Sequence, residues 1–506
     1  MHLRPDPIVT AADGVAGERS LVLDASFASL AGALSGGVIL SAFALGAGAG
    51  PLVIGLLGAI PFLSQAAQLP AIAFVERIRK RRTIGVLSLS AARIVIVLTA
   101  LLPFLPAART QLGWLLAAQV AICTLSSFAA CAVNSWLHQL VGRESLGDFF
   151  AKRLFWGTAL ACVGTLAAGW LLDPHDWIER REAFAIAFGA AGCAGLASSY
   201  FLARAPEPVM SAGMQPAAVF AALRQPLRDP VFTKVLVFMA AWNVASNLAA
   251  PFITVYLLQQ LKLPLATVTS LWVTSQVSNA LTLYLWGRLS DRLSNKAILA
   301  VALPIYFACM VGLVFADIGD HHTLRLVLLY GFHLAMGAAS GGIGLATGNL
   351  ALKLAPQGAG TSYLAVQGLV AALAGGVAPL VAGALAEWFA PRELSVLVRW
   401  VSPTGTAEVA VFEFAHWEFL FAISALLGLY VLHALSKVVE GAEISERQVI
   451  QQIGMEAMRS FDHLSSIVGS IGMLFSPGRL LNGPLRRRRA ERERALPATP
   501  SEAGAE

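Results

Sequence analysis

The sequence predicts an all-α membrane protein: twelve transmembrane helices in two pseudo-symmetric six-helix bundles, with both termini cytoplasmic. Three observations predict it. The 506 residues are 57% hydrophobic and 13% charged, with a mean hydropathy of +0.68, whereas soluble domains carry about a quarter charged residues. Apolar runs recur from Leu21 to Leu435, and at about 20 residues each can cross a hydrocarbon layer of about 30 Å. Segments of the first half also reappear in the second at an offset of about 215 residues.

The opening residues contain Arg4, Asp6, Asp13, Glu18 and Arg19 and lack the apolar core of a signal peptide. Residues 1–20 read as a cytoplasmic segment, and the first span as an uncleaved anchor. Spans follow at 21–45, 51–74, 84–105, 112–138, 153–172, 183–203, 232–258, 266–287, 297–316, 323–352, 360–388 and 415–436. The hydrophilic interruption from Arg204 to Lys234 divides them six and six. The expected domains are an N-terminal bundle at 21–203, a linker at 204–231, a C-terminal bundle at 232–436 and a tail at 437–506. Loops after even-numbered spans hold about 16 Lys and Arg against about 7 in the opposite loops, which places both termini inside.

The repeat is carried by two segment pairs. FVERIRKRR after span 2 aligns with GRLSDRLSNK after span 8, and DFFAKRLFWGTALACVGTLAAGWLLD around span 5 aligns with GTSYLAVQGLVAALAGGVAPLVAGALAEWF around span 11. GRLSDRLSNK is similar to the G-x-x-x-D-R-x-G-R-K loop of the major facilitator superfamily, with Gly287, Asp291, Arg292 and Lys296 matching and Ser294 and Asn295 departing. The copy after span 2 is looser, with Ile72, Glu76 and Arg79 at positions where the signature has Gly, Asp and Gly. The resemblance covers nearly all of 21–436 and looks like a bacterial branch of unassigned substrate. It implies two halves that rock around a midplane site, with Glu76, Arg77, Asp291 and Arg292 forming latches at the starts of spans 11 and 5. Arg79, Lys80, Arg81 and Arg82 read as loop charges that set topology. Arg153, at the start of span 5, aligns with Gln367 in span 11, an asymmetry suited to a gate or simply an inside positive.

Buried ionisable groups are expensive in a span, so each calls for a role or a partner. Arg93 lies near the middle of span 3, and Asp24 in span 1 is its nearest candidate counter-ion. They read either as a structural ion pair or as a site where Arg93 attracts an anionic solute or moves with a gate. His333 in span 10 is a candidate proton carrier or a hydrogen-bonded structural group. Trp242, Asn243 and Asn247 in span 7, Gln276 and Asn279 in span 8, Gln119 and Asn134 in span 4, and Gln65 and Gln68 in span 2 together fit a polar cavity; singly, each fits an interhelical hydrogen bond.

Gly337, Gly341, Gly344 and Gly348 in span 10, and Gly32 and Gly36 in span 1, have small-xxx-small spacing. LSVLVRWVSPTGTAEVAVFEF, between spans 11 and 12, alternates as a β-hairpin does. Beyond Lys437 an amphipathic stretch and the cluster Arg486 to Arg489 fit contact with anionic lipid headgroups or docking of a partner. The five cysteines show no CxxC and no zinc spacing, so neither metal nor cofactor is expected. The modest positive charge needs no nucleic acid, and no GxxxxGK[ST] loop occurs. The excess of Arg over Lys suggests a GC-rich bacterial genome, and the expected location of a multi-pass protein is then the bacterial inner membrane. The expected function is secondary transport of a small solute by alternating access, with a coupling ion such as H+. The rival is a membrane scaffold or assembly factor, and no paired His/Asp constellation points to an enzyme.

Overall fold

The computed structural model describes residues 5–6, 10–141, 146–210, 223–292, 294–316, 322–356, 360–402 and 405–440. The chain divides into a unit spanning Met1–Ile444 and a second spanning Ser445–Glu506. The amphipathic stretch and the arginine cluster of the tail lie outside the described residues.

The first predicted span is two helices, α1 (Ala11–Ser35) and α2 (Gly37–Gly46). Thr10 opens α1 with a reciprocal cap: its hydroxyl accepts the Asp13 amide at 3.2 Å, and the Asp13 carboxylate accepts the Thr10 amide at 3.1 Å. The second span is α3 (Pro51–Leu63), a 3-10 turn over Ser64–Ala67 and α4 (Gln68–Ile78). Pro61 removes a helical donor just before that turn. Then come α5 (Arg81–Thr99), α6 (Ala108–Leu140), α7 (Leu146–Leu172), α8 (Arg180–Arg204) and the short α9 (Arg224–Arg228). The remaining helices are α10 (Pro230–Val255), extended by a π-helical turn over Tyr256–Gln260, α11 (Leu265–Arg292), α12 (Asn295–Val314), α13 (His322–Leu354), α14 (Gly360–Phe389) and α15 (Glu418–Ser436).

Among the described residues, eleven helical segments are long and apolar enough to cross a membrane. The helix α11 is 28 residues long but is not one of them, because Thr, Ser, Gln and Asn recur along it. The expected hairpin forms: β1 (Glu393–Ser402) pairs antiparallel with β2 (Gly405–Ala415), with a register shift between Val396 and Leu397. The described residues therefore carry one small sheet.

Helix α1 packs on α7 and α8, and α5 on α6 and α8; further on, α13 packs on α11 and α12, and α10 on α14 and α15. The two most extensive pairings between these sets are α3 with α14 and α7 with α11. Glycine permits both. A Cβ on Gly55 would strike the Pro379 carbonyl, one on Gly383 would sit 2.9 Å from the Pro51 carbonyl, and one on Gly169 would strike the Thr269 side chain. Within span 10, Gly337 and Gly341 pack against the α11 backbone, while the space beside Gly344 and Gly348 is open.

The end of the molecule that holds Asp6 and the α4–α5 turn is called the near end; the other, holding the α2–α3 turn, is the far end. At the near end Arg81 and Arg82 are buried, which corrects their reading as loop charges. The reason is Glu207, three residues past α8. Its carboxylate accepts the Arg81 amide at 2.7 Å and the Arg82 amide at 3.1 Å, and pairs with Arg81 Nε at 3.4 Å. Arg81 also donates to Gln139 at 2.7 Å and to the Pro208 carbonyl at 2.8 Å. Glu440, past the end of α15, does the same for α12. It accepts from the Lys296 amide at 2.6 Å, the Asn295 side chain at 2.7 Å and Lys353 at 3.2 Å. Each carboxylate occupies the positive end of a helix whose first amides would otherwise lack partners.

Candidate functional site

A cavity of about 760 Å³ lies among α1, α2, α3, α5, α6, α7, α10 and α11. Apart from the α1–α2 break, most of its lining positions fall within these helices. The break in the first span forms part of its wall. Gly36 is extended, at φ −128° and ψ −169°, and Gly37 has φ +51°, a conformation that costs an L side chain about 1–2 kcal/mol. No side chain caps the new helix that starts there. Gly36, Gly37, Val38 and Ile39 all line the cavity, so the amide end of α2 borders it.

Among the described residues, Arg93 is the one charged side chain lining the cavity, and it is 9% exposed. Its stem crosses Gly195 of α8, where a Cβ would lie 3.2 Å from Nε. Arg93 Nε is buried without a hydrogen-bond partner, and no carboxylate among the described residues is within ion-pair distance of the guanidinium. Asp24, its expected counter-ion, is buried and engaged elsewhere. It accepts the Ser198 hydroxyl at 2.7 Å and faces Arg153 at 4.0 Å, with Arg93 at longer Coulombic range. This corner of the molecule thus holds two guanidinium groups and one carboxylate.

Gln276 and Gln119 line the cavity as the sequence suggested, joined by Ser29, Thr158, Thr165 and Trp272. Trp272 Nε1 is a second buried donor with no partner. The other candidates sit away from the lining. Asn243 donates to the Met239 carbonyl at 2.8 Å and Asn247 to the Asn243 carbonyl at 2.9 Å, each closing onto its own helix. Trp242 packs edge-on against Tyr306 and Phe307. His333 is buried behind Trp272, with Nδ1 2.8 Å from the Leu329 carbonyl. Asn279 lies on α11 beside Gly341, Asn134 is exposed on α6, and Gln367 is half-buried on α14.

The proposed gate residues are distributed over the near end. Glu76 is half-buried near Cys131 of α6, and Arg77 is exposed. Gly287 has open space beside it. Lys296 gives its amide to Glu440 and its Nζ to the Ser436 carbonyl at 3.4 Å. Asp291 and Arg292 close α11, and their side chains lie outside the described residues.

Two carboxylates that composition alone did not single out connect the helix sets at the far end. Asp173, just past α7, accepts the Leu265 amide at 2.9 Å and the Ala266 amide at 3.3 Å, at the start of α11. Glu387, near the end of α14, accepts the Leu52 amide at 3.4 Å, at the start of α3. They occupy corresponding places in the aligned segments.

Comparison with known proteins agrees with this architecture. The sequence profile of the Major Facilitator Superfamily matches residues 25–379. The chain is similar to a mutant form of the nucleoside transporter NupG at TM-score 0.62 and 12% identity, covering 84% of this chain and 100% of that one. It is also similar to a bacterial homolog of the human lysosomal transporter Spinster, inward-facing and unoccupied, at TM-score 0.56 and 14% identity over 85% and 95% of the two chains. A bacterial metal transporter aligns at TM-score 0.51 and 14% identity over 83% and 98%. At such identities the likeness is one of fold. No curated protein matches the sequence significantly.

Proposed function

Because the chain belongs to the major facilitator superfamily, a family of integral membrane transport proteins, we propose that it is a secondary active transporter that moves a small solute by alternating access. In this reading twelve spans form bundles at 21–203 and 232–436, joined by the linker at 204–231, and both termini face the cytoplasm of a bacterium. The far end is then the outer side. The observation that carries the reading is the pair Asp173 to Leu265 and Glu387 to Leu52, two related contacts that join the helix sets at one end of a molecule whose cavity is lined by both sets. Contacts of a carboxylate with a helix start are individually modest, so they can hold one state and release it during a cycle.

A coupling ion such as H+ belongs to the same proposal, as do the latch roles of Glu76, Arg77, Asp291 and Arg292 in the opposite state. The tail from 437 onward is proposed to rest on anionic headgroups. Vesicle co-sedimentation of full-length and tail-deleted protein tests that part, and equal binding at low and high phosphatidylglycerol content would remove it. The transport reading is tested by flux of a broad solute library into liposomes holding the purified protein. Failure of every solute to move faster than in empty liposomes would overturn it.

A further inference from the structure

We infer that the solute is a small organic anion, whose acidic group is held at Arg93 beside the broken first span. This inference rests on the transport reading and adds the substrate's chemical class.

Three features of the cavity wall, from three separate helices, are donors in want of an acceptor. Arg93 brings a buried guanidinium whose Nε has no partner. The break at Gly36 and Gly37 turns the start of α2 into the wall, with no side-chain cap on its amides. Trp272 brings an indole N–H without an acceptor from the other helix set. Among the described residues no carboxylate lines the cavity, and the nearby acid Asp24 is already bound by Ser198 and shared with Arg153. The buried guanidinium of Arg93 and the partly exposed one of Arg153 face a single carboxylate, which leaves a positive excess at Arg93 that is costly in a low-dielectric interior unless an anion enters. An arginine, an uncapped helix start and an indole N–H each favour a negatively charged acceptor. A cationic solute would meet repulsion at Arg93 and find no counter-charge on the wall.

The remaining wall sets the rest of the molecule to be bound. Ile54, Leu57, Pro61, Ile96, Pro251 and Val273 are apolar, with Gln119 and Gln276 as isolated amides. An acid with a compact hydrocarbon body fits that surface better than a heavily hydroxylated one. The cavity volume of about 760 Å³ is in the range of small-ligand sites.

The test uses the purified full-length protein in detergent and three matched probe series: benzoate, benzamide and benzylamine; hexanoate, hexanamide and hexylamine; and phenyl phosphate with phenol. Thermal unfolding is followed against probe concentration. At least one acid should raise the melting temperature in a saturable way while its neutral and cationic partners do not. Arg93→Gln should weaken that acid by about tenfold to a hundredfold, Arg93→Lys should restore part of it, and Trp272→Phe should cost less than Arg93→Gln. Monodispersity and an unshifted ligand-free melting curve establish that the variants fold; if Arg93→Gln does not fold, Arg93→Lys and Trp272→Phe carry the comparison. Stabilisation by an amide or amine equal to that by its acid, acid binding untouched by these variants, or no response to any acid overturns the inference. Neutral or cationic solutes moving in the liposome assay while acids stay outside would end the anion site and leave the transport reading standing.

Discussion

Asp173 holds the backbone amide of Leu265 at 2.9 Å, so the end of one helix supplies the cap for a helix in the other set. Loss of a capping carboxylate typically costs about 1 kcal/mol, about fivefold in an equilibrium between two states. Asp173→Ala combined with Glu387→Ala should therefore open the far end more often. In a background with the five cysteines replaced, a Thr269→Cys reporter should react faster with a membrane-impermeant maleimide. An unchanged labelling rate would mean these contacts do not govern closure.

Gly169 lets α7 lie directly on Thr269, which is fully buried. Gly169→Ala should prevent that approach and lower transport, and Thr269→Ala should restore part of it. Additive losses in the double variant, in place of rescue, would show that the two positions act separately.

Glu207 and Arg81 form an ion pair with side chains 0% and 1% exposed. Removing one member of such a pair leaves an uncompensated buried charge, at a cost of about 3–5 kcal/mol. Glu207→Ala should accordingly lower the melting temperature sharply. Lys353→Ala should do far less, because Lys353, the partner of Glu440, is 58% exposed. Equal shifts for the two variants would contradict the difference in burial.

Asp229 caps α10 by accepting the Val231 amide at 2.9 Å and the Phe232 amide at 3.2 Å, and Tyr363 donates to it at 3.1 Å. Desolvation pushes its carboxyl upward, but these donors outweigh it and hold the group below the usual carboxylate range. A depressed value means that the stabilisation is complete above the unfolded-chain value of about 3.9 and fades as the pH falls through the folded one. Asp229→Asn should thus reduce stability near pH 7 and narrow the gap to wild type below about pH 4. Melting curves across that range measure it; a gap that widens in acid would reverse the sign.

Gly37 has φ +51°. Gly37→Ala should cost about 1–2 kcal/mol and should disturb solute binding more than Gly344→Ala, since Gly344 has open space and lies off the cavity. Equal binding in the two variants would separate the helix break from the site.

Much of this architecture is legible in the sequence, because hydrophobic length fixes where helices can cross and the offset of about 215 residues relates one half to the other. The alternation around Pro403 likewise gives the hairpin. Side-chain destinations are less legible. Asn243 and Asn247 share a helix face, as their spacing requires, but spacing does not say what that face meets, and their amides turn to carbonyls one turn back. Gly32 and Gly36 have the spacing of a packing seam, yet Gly36 ends a helix, because the adjacent Gly37 permits a left-handed turn that Gly32 lacks. Asp173 and Glu387 stand in the aligned segments, but an acid at a span end looks like any interfacial charge. Their partners are backbone amides, which a sequence does not display. The role of Trp272 is hidden in the sequence for a related reason: an unmet N–H is a property of its surroundings.

The carboxylate of Glu440 fastens the last described residue of the chain to the Lys296 amide, Asn295 and Lys353. Ser290 donates to Asn295 at 2.9 Å and receives Asn349 at 3.1 Å, so the joint extends to α11 and α13. Whatever pulls on the chain past residue 440 pulls on a cleat rather than on a loose end, and its load reaches three helices at once.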